Sequence, residues 1–191
     1  TMGGKHNKCC CVQGCAVAAD DFNRADSTSI GSSWTEHVGD WEIVSNRLTV
    51  AEIGVVRHHS LSPYATGNQN VSAKIHDMAA GTKHRLLLQV SLDGTDYYYA
   101  EWHYVDAVTM IFNLGSSSGG VLKTLTGTPI LDGTTIRASM TDGGILCMSD
   151  SASRITVCAT SKTGKYTGLG AGSATGATFD DFVFEAHYAD N

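Results

Sequence analysis

The segment LLLQVSLDGTDYYYAEW, residues 86–102, predicts an antiparallel β-hairpin. Asp93-Gly94 suits the positive-φ positions of a two-residue turn, and apolar or aromatic residues flank the dipeptide on both sides. With that turn, Gln89 faces Tyr98. Because side chains alternate along a strand, the register predicts one core face and one polar face that also carries aromatic rings. The core face comprises Leu86, Leu88, Val90, Tyr97 and Tyr99, and the polar face comprises Arg85, Gln89, Tyr98, Trp102 and Tyr104.

Strand-sized segments follow one another along the whole chain from Asp20 onward. Segments such as WEIVSNRLTVA, NVSAKIHDM and FDDFVFEA are separated by Gly, Asp, Asn and Ser, at the spacing of about ten residues that is typical of all-β domains. A chain of 191 residues is long enough for one substantial domain. The sequence predicts an all-β, two-sheet antiparallel sandwich at residues 19–191, preceded by a Cys-rich N-terminal arm at residues 1–18.

The two ends of this predicted domain carry family-like motifs. DDFNRADSTSIGSSWTEHVGDWEIVSNRLTV, residues 20–50, resembles the opening of laminin-G-like domains of the concanavalin A-like lectin and glucanase superfamily, especially bacterial and phage versions. KYTGLGAGSATGATFDDFVFEA, residues 165–186, is similar to that family's Thr-Gly-x-x-Gly turn and closing Phe-Asp-Asp-Phe strand. The resemblance covers residues 20–188 and implies a jelly roll in which the strands of Phe22 and Phe182 are neighbours.

Two acidic pairs, Asp20-Asp21 and Asp180-Asp181, lie at these ends. If the terminal strands are adjacent, four carboxylates converge, and a hard cation such as Ca²⁺ would best relieve their repulsion. Family members often hold structural calcium, so the resemblance supports this interpretation. The alternative is that the four residues are solvated strand ends. The prediction is a structural calcium site built from some of these carboxylates.

The N-terminal segment KHNKCCCVQGC, residues 5–15, concentrates cysteines in a polar stretch. Thiolates and imidazole are soft ligands that suit Cu(I) or Zn²⁺. Disulfides within the arm or to another chain are the rival explanation, because secreted cysteines usually oxidise. The predicted copper or zinc ligands are His6, Cys9, Cys10, Cys11 and Cys15.

A second hairpin, ILCMSDSASRITVC at residues 145–158, contains the other two cysteines. A turn centred on Ala152-Ser153 would place Cys147 directly opposite Cys158, which predicts a cross-strand disulfide. Reduced thiols that pack as small hydrophobic groups are the alternative. An even count of six cysteines favours an oxidising compartment, so we expect a secreted, extracellular protein.

Composition and spacing exclude several functions. A net charge of −6 with 13 scattered Lys and Arg residues argues against a nucleic-acid partner. No apolar run approaches the roughly 20 residues that a membrane span requires. A retaining glycosidase needs two carboxylates about 5 Å apart, and the Glu-x-Asp-x-x-Glu strand that supplies them in glucanases does not occur in this sequence. We therefore predict that the protein is not an enzyme.

Two functional hypotheses follow. The first is a non-catalytic extracellular structural or assembly subunit, a homo-oligomer or polymer whose cysteine arm binds metal or forms cross-links. The alternative is a lectin-like carbohydrate-binding module that holds a glycan on the polar, aromatic face of Arg85, Gln89, Tyr98, Trp102 and Tyr104. Rings on that face would stack on the apolar faces of sugars, although half-exposed aromatic residues also simply favour strands.

Overall fold

The computed structural model describes residues 15–60, 68–141, 144–150, 154–159, 162, 164–173 and 176–187. Within these ranges all regular secondary structure is β. The strands are β1 (Cys15–Asp20), β2 (Trp34–Val38), β3 (Trp41–Val44), β4 (Arg47–Val50), β5 (Gly54–His58), β6 (Asn68–His76), β7 (Lys83–Val90), β8 (Tyr98–Tyr104), β9 (Met110–Ser116), β10 (Gly120–Gly127), β11 (Thr135–Met140), β12 (Ile145–Ser149), β13 (Arg154–Cys158), β14 (Tyr166–Ala171) and β15 (Ala177–His187).

The strands form two antiparallel sheets that pack face to face. The eight-stranded sheet has the order β13-β12-β11-β6-β15-β4-β3, with β1 also paired to β15, and the seven-stranded sheet has the order β10-β9-β8-β7-β14-β5-β2. Successive strands cross repeatedly from one sheet to the other, as expected for a jelly roll. The prediction of an all-β, two-sheet jelly-roll sandwich is confirmed. The described residues include no helix with the length and apolar character needed to cross a membrane.

The first and last described strands are neighbours, as the resemblance implied, although Phe22 itself lies just beyond the end of β1. Strand β1 pairs antiparallel with β15, and Asp20 lies opposite Phe182. Because β1 begins at Cys15, the predicted arm boundary at residue 18 falls inside a strand of the sheet. The rest of the predicted arm, residues 1–14, lies outside the described residues.

Large aromatic side chains fill the space between the sheets. Trp41 and Phe179 come from the eight-stranded sheet, and Trp102 and Phe112 from the seven-stranded sheet; each is at most 1% exposed. Burying a side chain of this size contributes about 1.5–3 kcal/mol to the free energy of folding. The main core therefore lies between the sheets. A second, smaller apolar cluster of Val55, Leu87, Val90 and Tyr99 lies on the outer side of the seven-stranded sheet.

The predicted register of the β7–β8 hairpin is wrong by one residue. A turn forms around Asp93-Gly94, but not the predicted two-residue type. The Gly94 N–H donates to the Ser91 carbonyl at 3.1 Å and the Ser91 N–H donates to the Asp96 carbonyl at 2.8 Å, so the loop spans residues 92–95, and only Gly94 of the dipeptide has a positive φ, +71°. Gln89, however, has φ +50°, and beyond it Leu88 pairs with Tyr98. Gln89 is thus the extra residue of a β-bulge in β7. Because a one-residue shift in register moves every side chain to the opposite face, the residues of β8 from Tyr98 onward face the side opposite to the predicted one.

The predicted register of the β12–β13 hairpin is also wrong. Cys147 lies opposite Thr156, and Ile145 lies opposite Cys158, so the two cysteines are two residues out of alignment. The cause is a longer connection, because the pairing ends at Ser149 and Arg154. Cys147 is buried, Cys158 is exposed, and no disulfide joins them.

This geometry predicts that the two thiols differ in reactivity. Under native conditions Cys158 should be alkylated readily and Cys147 only after denaturation, because a buried thiol is shielded from the reagent. Mass spectrometry of peptides after alkylation with and without denaturant measures the extent of alkylation at Cys147 and at Cys158. A native protein in which neither thiol can be alkylated until a reductant is added would contradict the structure and restore the disulfide.

His84 predicts a loss of stability in acid. The residue is 1% exposed, its Nε2 lies 3.0 Å from the His76 carbonyl oxygen, and burial lowers its pKa to about 4. The unfolded chain binds a proton near pH 6.5, whereas the folded chain does not. The stability from neutral His84 is therefore complete above pH 6.5 and falls by about 3 kcal/mol as the pH drops towards 4.

Urea unfolding at pH 7 and pH 4.5 measures this effect. His84→Gln keeps an N–H donor without a titrating ring, so its stability should depend less on pH over that interval than that of the unmodified protein. His59→Gln, at an exposed position, is the matched control and should behave like the unmodified protein. An equal pH dependence for His84→Gln would exclude His84 as the source.

Candidate functional site

The outer face of the seven-stranded sheet carries a row of polar side chains on four adjacent strands. Strand pairing places Arg85 opposite Glu101, Glu101 opposite Asn113 and Asn113 opposite Thr124. Directly paired residues project to the same side of a sheet, where their side chains contact each other. The four residues therefore form a continuous polar row.

Hydrogen bonds join the members of this row. Arg85 donates from Nε and ion-pairs through Nη2 to Glu101 Oε2, at 2.6 Å in each case. Asn113 Nδ2 donates to Glu101 Oε1 at 2.9 Å, and Thr124 Oγ1 donates to Asn113 Oδ1 at 2.8 Å. Glu101 is only 3% exposed, and a buried carboxylate is tolerated when it is paired and hydrogen-bonded in this way.

Aromatic rings lie beside the cations of this face. The Arg85 guanidinium stands 4.5 Å from the ring centroid of Tyr99, and the Arg57 guanidinium stands 4.0 Å from that of Tyr166. Burial raises the pKa of Tyr99, with Arg85 opposing the effect. Such contacts fix the planes of both partners and contribute about 0.5–2 kcal/mol each.

Alternate glycines of the β14 segment make room for these long side chains. Gly170 lies opposite Arg85, and Gly172 follows the strand on the same face. A Cβ atom at Gly172 would lie 2.7 Å from Arg85 Cζ and 2.6 Å from Glu101 Oε2. Any side chain at position 172 would therefore displace the ion pair.

The structure separates the residues that were predicted to form the polar, aromatic face. Arg85 belongs to the face, but Tyr98 and Trp102 are 4% and 0% exposed in the core, and Tyr104 packs against that core. Gln89 lies in the bulge, where its Oε1 accepts the Lys162 N–H at 2.8 Å. The error follows from the β8 register. Alternate glycines in YTGLGAG were the sequence signal that could have located this face.

The four aspartates predicted to bind calcium lie on or directly beside the paired strands β1 and β15, and each has a partner within the protein. Asp20 Oδ1 accepts from Arg24 Nη1 at 2.7 Å, and Asp20 Oδ2 accepts from Trp34 Nε1 at 2.8 Å. Burial favours the neutral form of Asp20, but these hydrogen bonds outweigh it and lower its pKa. Asp181 forms an ion pair with Lys74.

No group of three or more potential metal ligands converges within the part of the chain that the structure describes. Calcium therefore stays a prediction, without a converged site among these residues. Of the predicted copper or zinc ligands, His6, Cys9, Cys10 and Cys11 lie outside the described residues. Cys15 is the first residue of β1 and lies opposite Ala186.

A concavity lies at the β2–β3 corner. It has a volume of about 390 Å³ and an acidic lining. Its lining residues are Thr28, Glu36, Asp40, Trp41, Glu42 and Ala51. Glu36 Oε2 accepts the Trp41 N–H at 3.2 Å, so part of this lining serves the local fold.

Comparisons with known proteins identify the architecture. No protein-family model matches the chain, and no curated protein matches it. Solved structures do match. The carbohydrate-binding module CBM66 from Bacillus subtilis has a TM-score of 0.57 and 15% identity, over 80% of this chain and 95% of that one. The CBM2 module of the evolved Dit of Lactobacillus casei BL23 phage J-1 has a TM-score of 0.60 and 12% identity, over 92% and 97%.

A third similar structure is a prokaryotic β-1,3-1,4-glucanase (lichenase) derived from a mouse hindgut metagenome, with a TM-score of 0.55 and 12% identity over 88% of this chain and 98% of that one. The fold is the concanavalin A-like jelly roll. Identity this low shows the fold alone, so the function of the jelly roll has to be argued from its own residues.

The Asp20 contacts predict that this residue is structural. Asp20→Asn should lower the free energy of unfolding by about 2 kcal/mol, because it weakens hydrogen bonds to a charged group. Asp21→Asn, at an exposed position, should have little effect. Urea unfolding at pH 7 compares the two variants with the unmodified protein.

The same measurement with a calcium chelator tests the predicted calcium site. If the Asp20 carboxylate acts through Arg24 and Trp34 alone, the chelator should leave the unfolding midpoint unchanged. A lower midpoint with the chelator, together with equal effects of Asp20→Asn and Asp21→Asn, would favour calcium instead.

Proposed function

We propose that the protein is a carbohydrate-binding module that holds a glycan on the outer face of the seven-stranded sheet. The observation that carries this proposal is the polar row of Arg85, Glu101, Asn113 and Thr124, on a face that also carries the half-buried ring of Tyr166. Sugars present both hydroxyl groups and apolar C–H faces. Planar polar groups bind the former, and aromatic rings stack on the latter.

The arrangement of the polar row suits recognition of a ligand. Its members hold one another through hydrogen bonds of 2.6–2.9 Å, so their polar groups have fixed directions before a ligand arrives. A site that is organised in advance loses less conformational entropy on binding. Two of the similar structures named above are carbohydrate-binding modules, which supports the same proposal.

A binding role also accounts for Glu101 better than catalysis does. Both of its carboxylate oxygens accept hydrogen bonds from protein side chains, Oε2 from Arg85 and Oε1 from Asn113. A retaining glycosidase instead needs one carboxylate as nucleophile and a second as acid, about 5 Å away. The lichenase similarity concerns the fold, and the absence of catalysis stays a prediction.

The assembly hypothesis has less support from the described residues. Four of the five predicted ligands of the cysteine arm lie outside them, so homo-oligomer formation through the arm and binding of copper or zinc stay predictions. We also propose that the protein acts outside the cell, because glycans of the size that a sheet face can hold are mainly extracellular.

Gly172→Ala provides a selective test of the proposed face. The added methyl group meets the ends of the Arg85 and Glu101 side chains, which can move, so the variant should fold while the polar row is distorted. We expect the unmodified protein to bind at least one polysaccharide and Gly172→Ala to bind it about tenfold or more weakly, a change of about 1.4 kcal/mol.

Affinity electrophoresis against a panel of neutral and acidic polysaccharides measures these affinities. The matched control is Arg137→Ala, which removes an exposed cation from the outer face of the eight-stranded sheet. This control should bind like the unmodified protein. Unchanged binding by Gly172→Ala, or no binding of any polysaccharide by the unmodified protein, would contradict the proposal.

A further inference from the structure

Arg57 is a buried cation on the face proposed to bind the glycan. It lies in β5, between Thr35 of β2 and Gly168 of β14. These pairings place it on the outer side of the seven-stranded sheet, yet only 6% of the residue is exposed. Burying a guanidinium is costly unless a partner compensates the charge.

The protein partners of Arg57 are neutral. Its Nε donates to His37 Nε2 at 3.3 Å, and its Nη2 donates to Thr35 Oγ1 at 3.4 Å. Burial and the Arg57 charge lower the pKa of His37, which keeps that ring neutral near pH 7. The ring of Tyr166 packs against the guanidinium plane. Nη1 has no hydrogen-bond acceptor among the described residues.

Three cations that are less buried than Arg57 have carboxylate partners, whereas Arg57 has none within the described residues. Arg24 pairs with Asp20, Arg85 with Glu101, and Lys74 with Asp181. No described carboxylate lies within ion-pair distance of Arg57. Asp93 acts electrostatically on the neighbouring His37, and its Oδ1 already accepts hydrogen bonds from Ser91 and Thr95.

The described side chains of this face carry three cations, Arg57, Arg85 and Lys83, against two carboxylates, Glu101 and, at the edge beside His37, Asp93. The pair Arg85–Glu101 is neutral overall, whereas Lys83, opposite His103 on the same face, forms no ion pair with a carboxylate in the described ranges. This excess contrasts with the net charge of −6 of the whole chain. A local field of opposite sign to the rest of the protein attracts and orients anionic ligands.

We propose that the glycan is acidic and that its carboxylate or sulfate group binds to Arg57. This inference rests on the proposed carbohydrate-binding function and adds the chemical class of the ligand. The anion would accept a hydrogen bond from Nη1 and supply the charge that the protein leaves uncompensated. Charge-assisted hydrogen bonds to guanidinium are roughly twice as strong as neutral ones. A neutral sugar can accept a hydrogen bond from Nη1 but supplies no charge to compensate the guanidinium.

Matched ligands test the class of glycan without any change to the protein. Polygalacturonate and its carboxyl-reduced form share one backbone and differ in charge, and dextran sulfate and dextran form the corresponding sulfated pair. We expect at least one acidic polymer to bind tenfold or more tightly than its neutral partner. The difference should shrink between 50 and 200 mM salt, because salt screens charge interactions over about 10 Å at these concentrations. Comparison of the two pairs distinguishes carboxylate from sulfate.

Variants assign the preference to Arg57. Arg57→Gln should reduce the ratio of acidic to neutral affinity to near one, and Arg137→Gln, which removes an exposed cation from the other sheet, should leave the ratio unchanged. Circular dichroism and urea unfolding establish that each variant is folded. If Arg57→Gln does not fold, two other variants replace it: Thr35→Val removes a hydrogen-bond partner of Arg57, and Lys83→Gln removes another cation from the same face. The comparison of acidic with neutral polymers on the unmodified protein still determines the class of glycan.

The outcomes separate this inference from the proposed function. Equal affinity for both members of each pair, or binding of neutral polysaccharides only, would overturn the acidic-ligand inference and leave carbohydrate binding intact. A folded Arg57→Gln variant that keeps the acidic preference would overturn the assignment to Arg57. Absence of binding to every polysaccharide would overturn both proposals.

Discussion

The bulge at Gln89 determines which residues of β8 reach the core and which reach the surface. Its backbone N–H donates to Gln69 Oε1 at 2.8 Å, and its side chain receives the Lys162 N–H. These contacts hold a non-glycine residue at φ +50°, a conformation that is uncommon for such residues and needs support from its surroundings. Because of the bulge, Trp102 lies in the core and Glu101 lies on the outer face.

Local signals in the sequence were sufficient for the strands and the turn of this hairpin. Asp93-Gly94 predicted the turn, and the neighbouring aromatic residues predicted β8. The bulge had no comparable signal, because it depends on Gln69 and Lys162, which are 20 and 73 residues away from Gln89. An alternating pattern therefore predicts that a strand has two faces, but distant contacts such as these two determine which face is buried.

The acidic pairs illustrate a related limit. Family-like motifs correctly predicted that the first and last strands are neighbours, and Asp20 lies opposite Phe182. Within the described residues no three of these carboxylates converge, and Arg24 and Trp34 bind Asp20 while Lys74 binds Asp181. Hydrophobic patterns and motifs predict the order of strands. The partner of each side chain depends on the direction in which that side chain projects and on its distance to other groups, which such patterns do not specify.

The two arginines of the outer face show how one sheet surface combines structural and ligand-binding roles. Arg85 has its anion within the protein, so Glu101 fixes its position and the pair rigidifies the centre of the face. Arg57 has only neutral partners, two hydrogen bonds longer than 3.2 Å and one ring. Arg85 therefore has a partner of opposite charge within the described protein, and Arg57 does not. Such exceptions are concentrated at functional sites, where the missing interaction is the one that a ligand supplies.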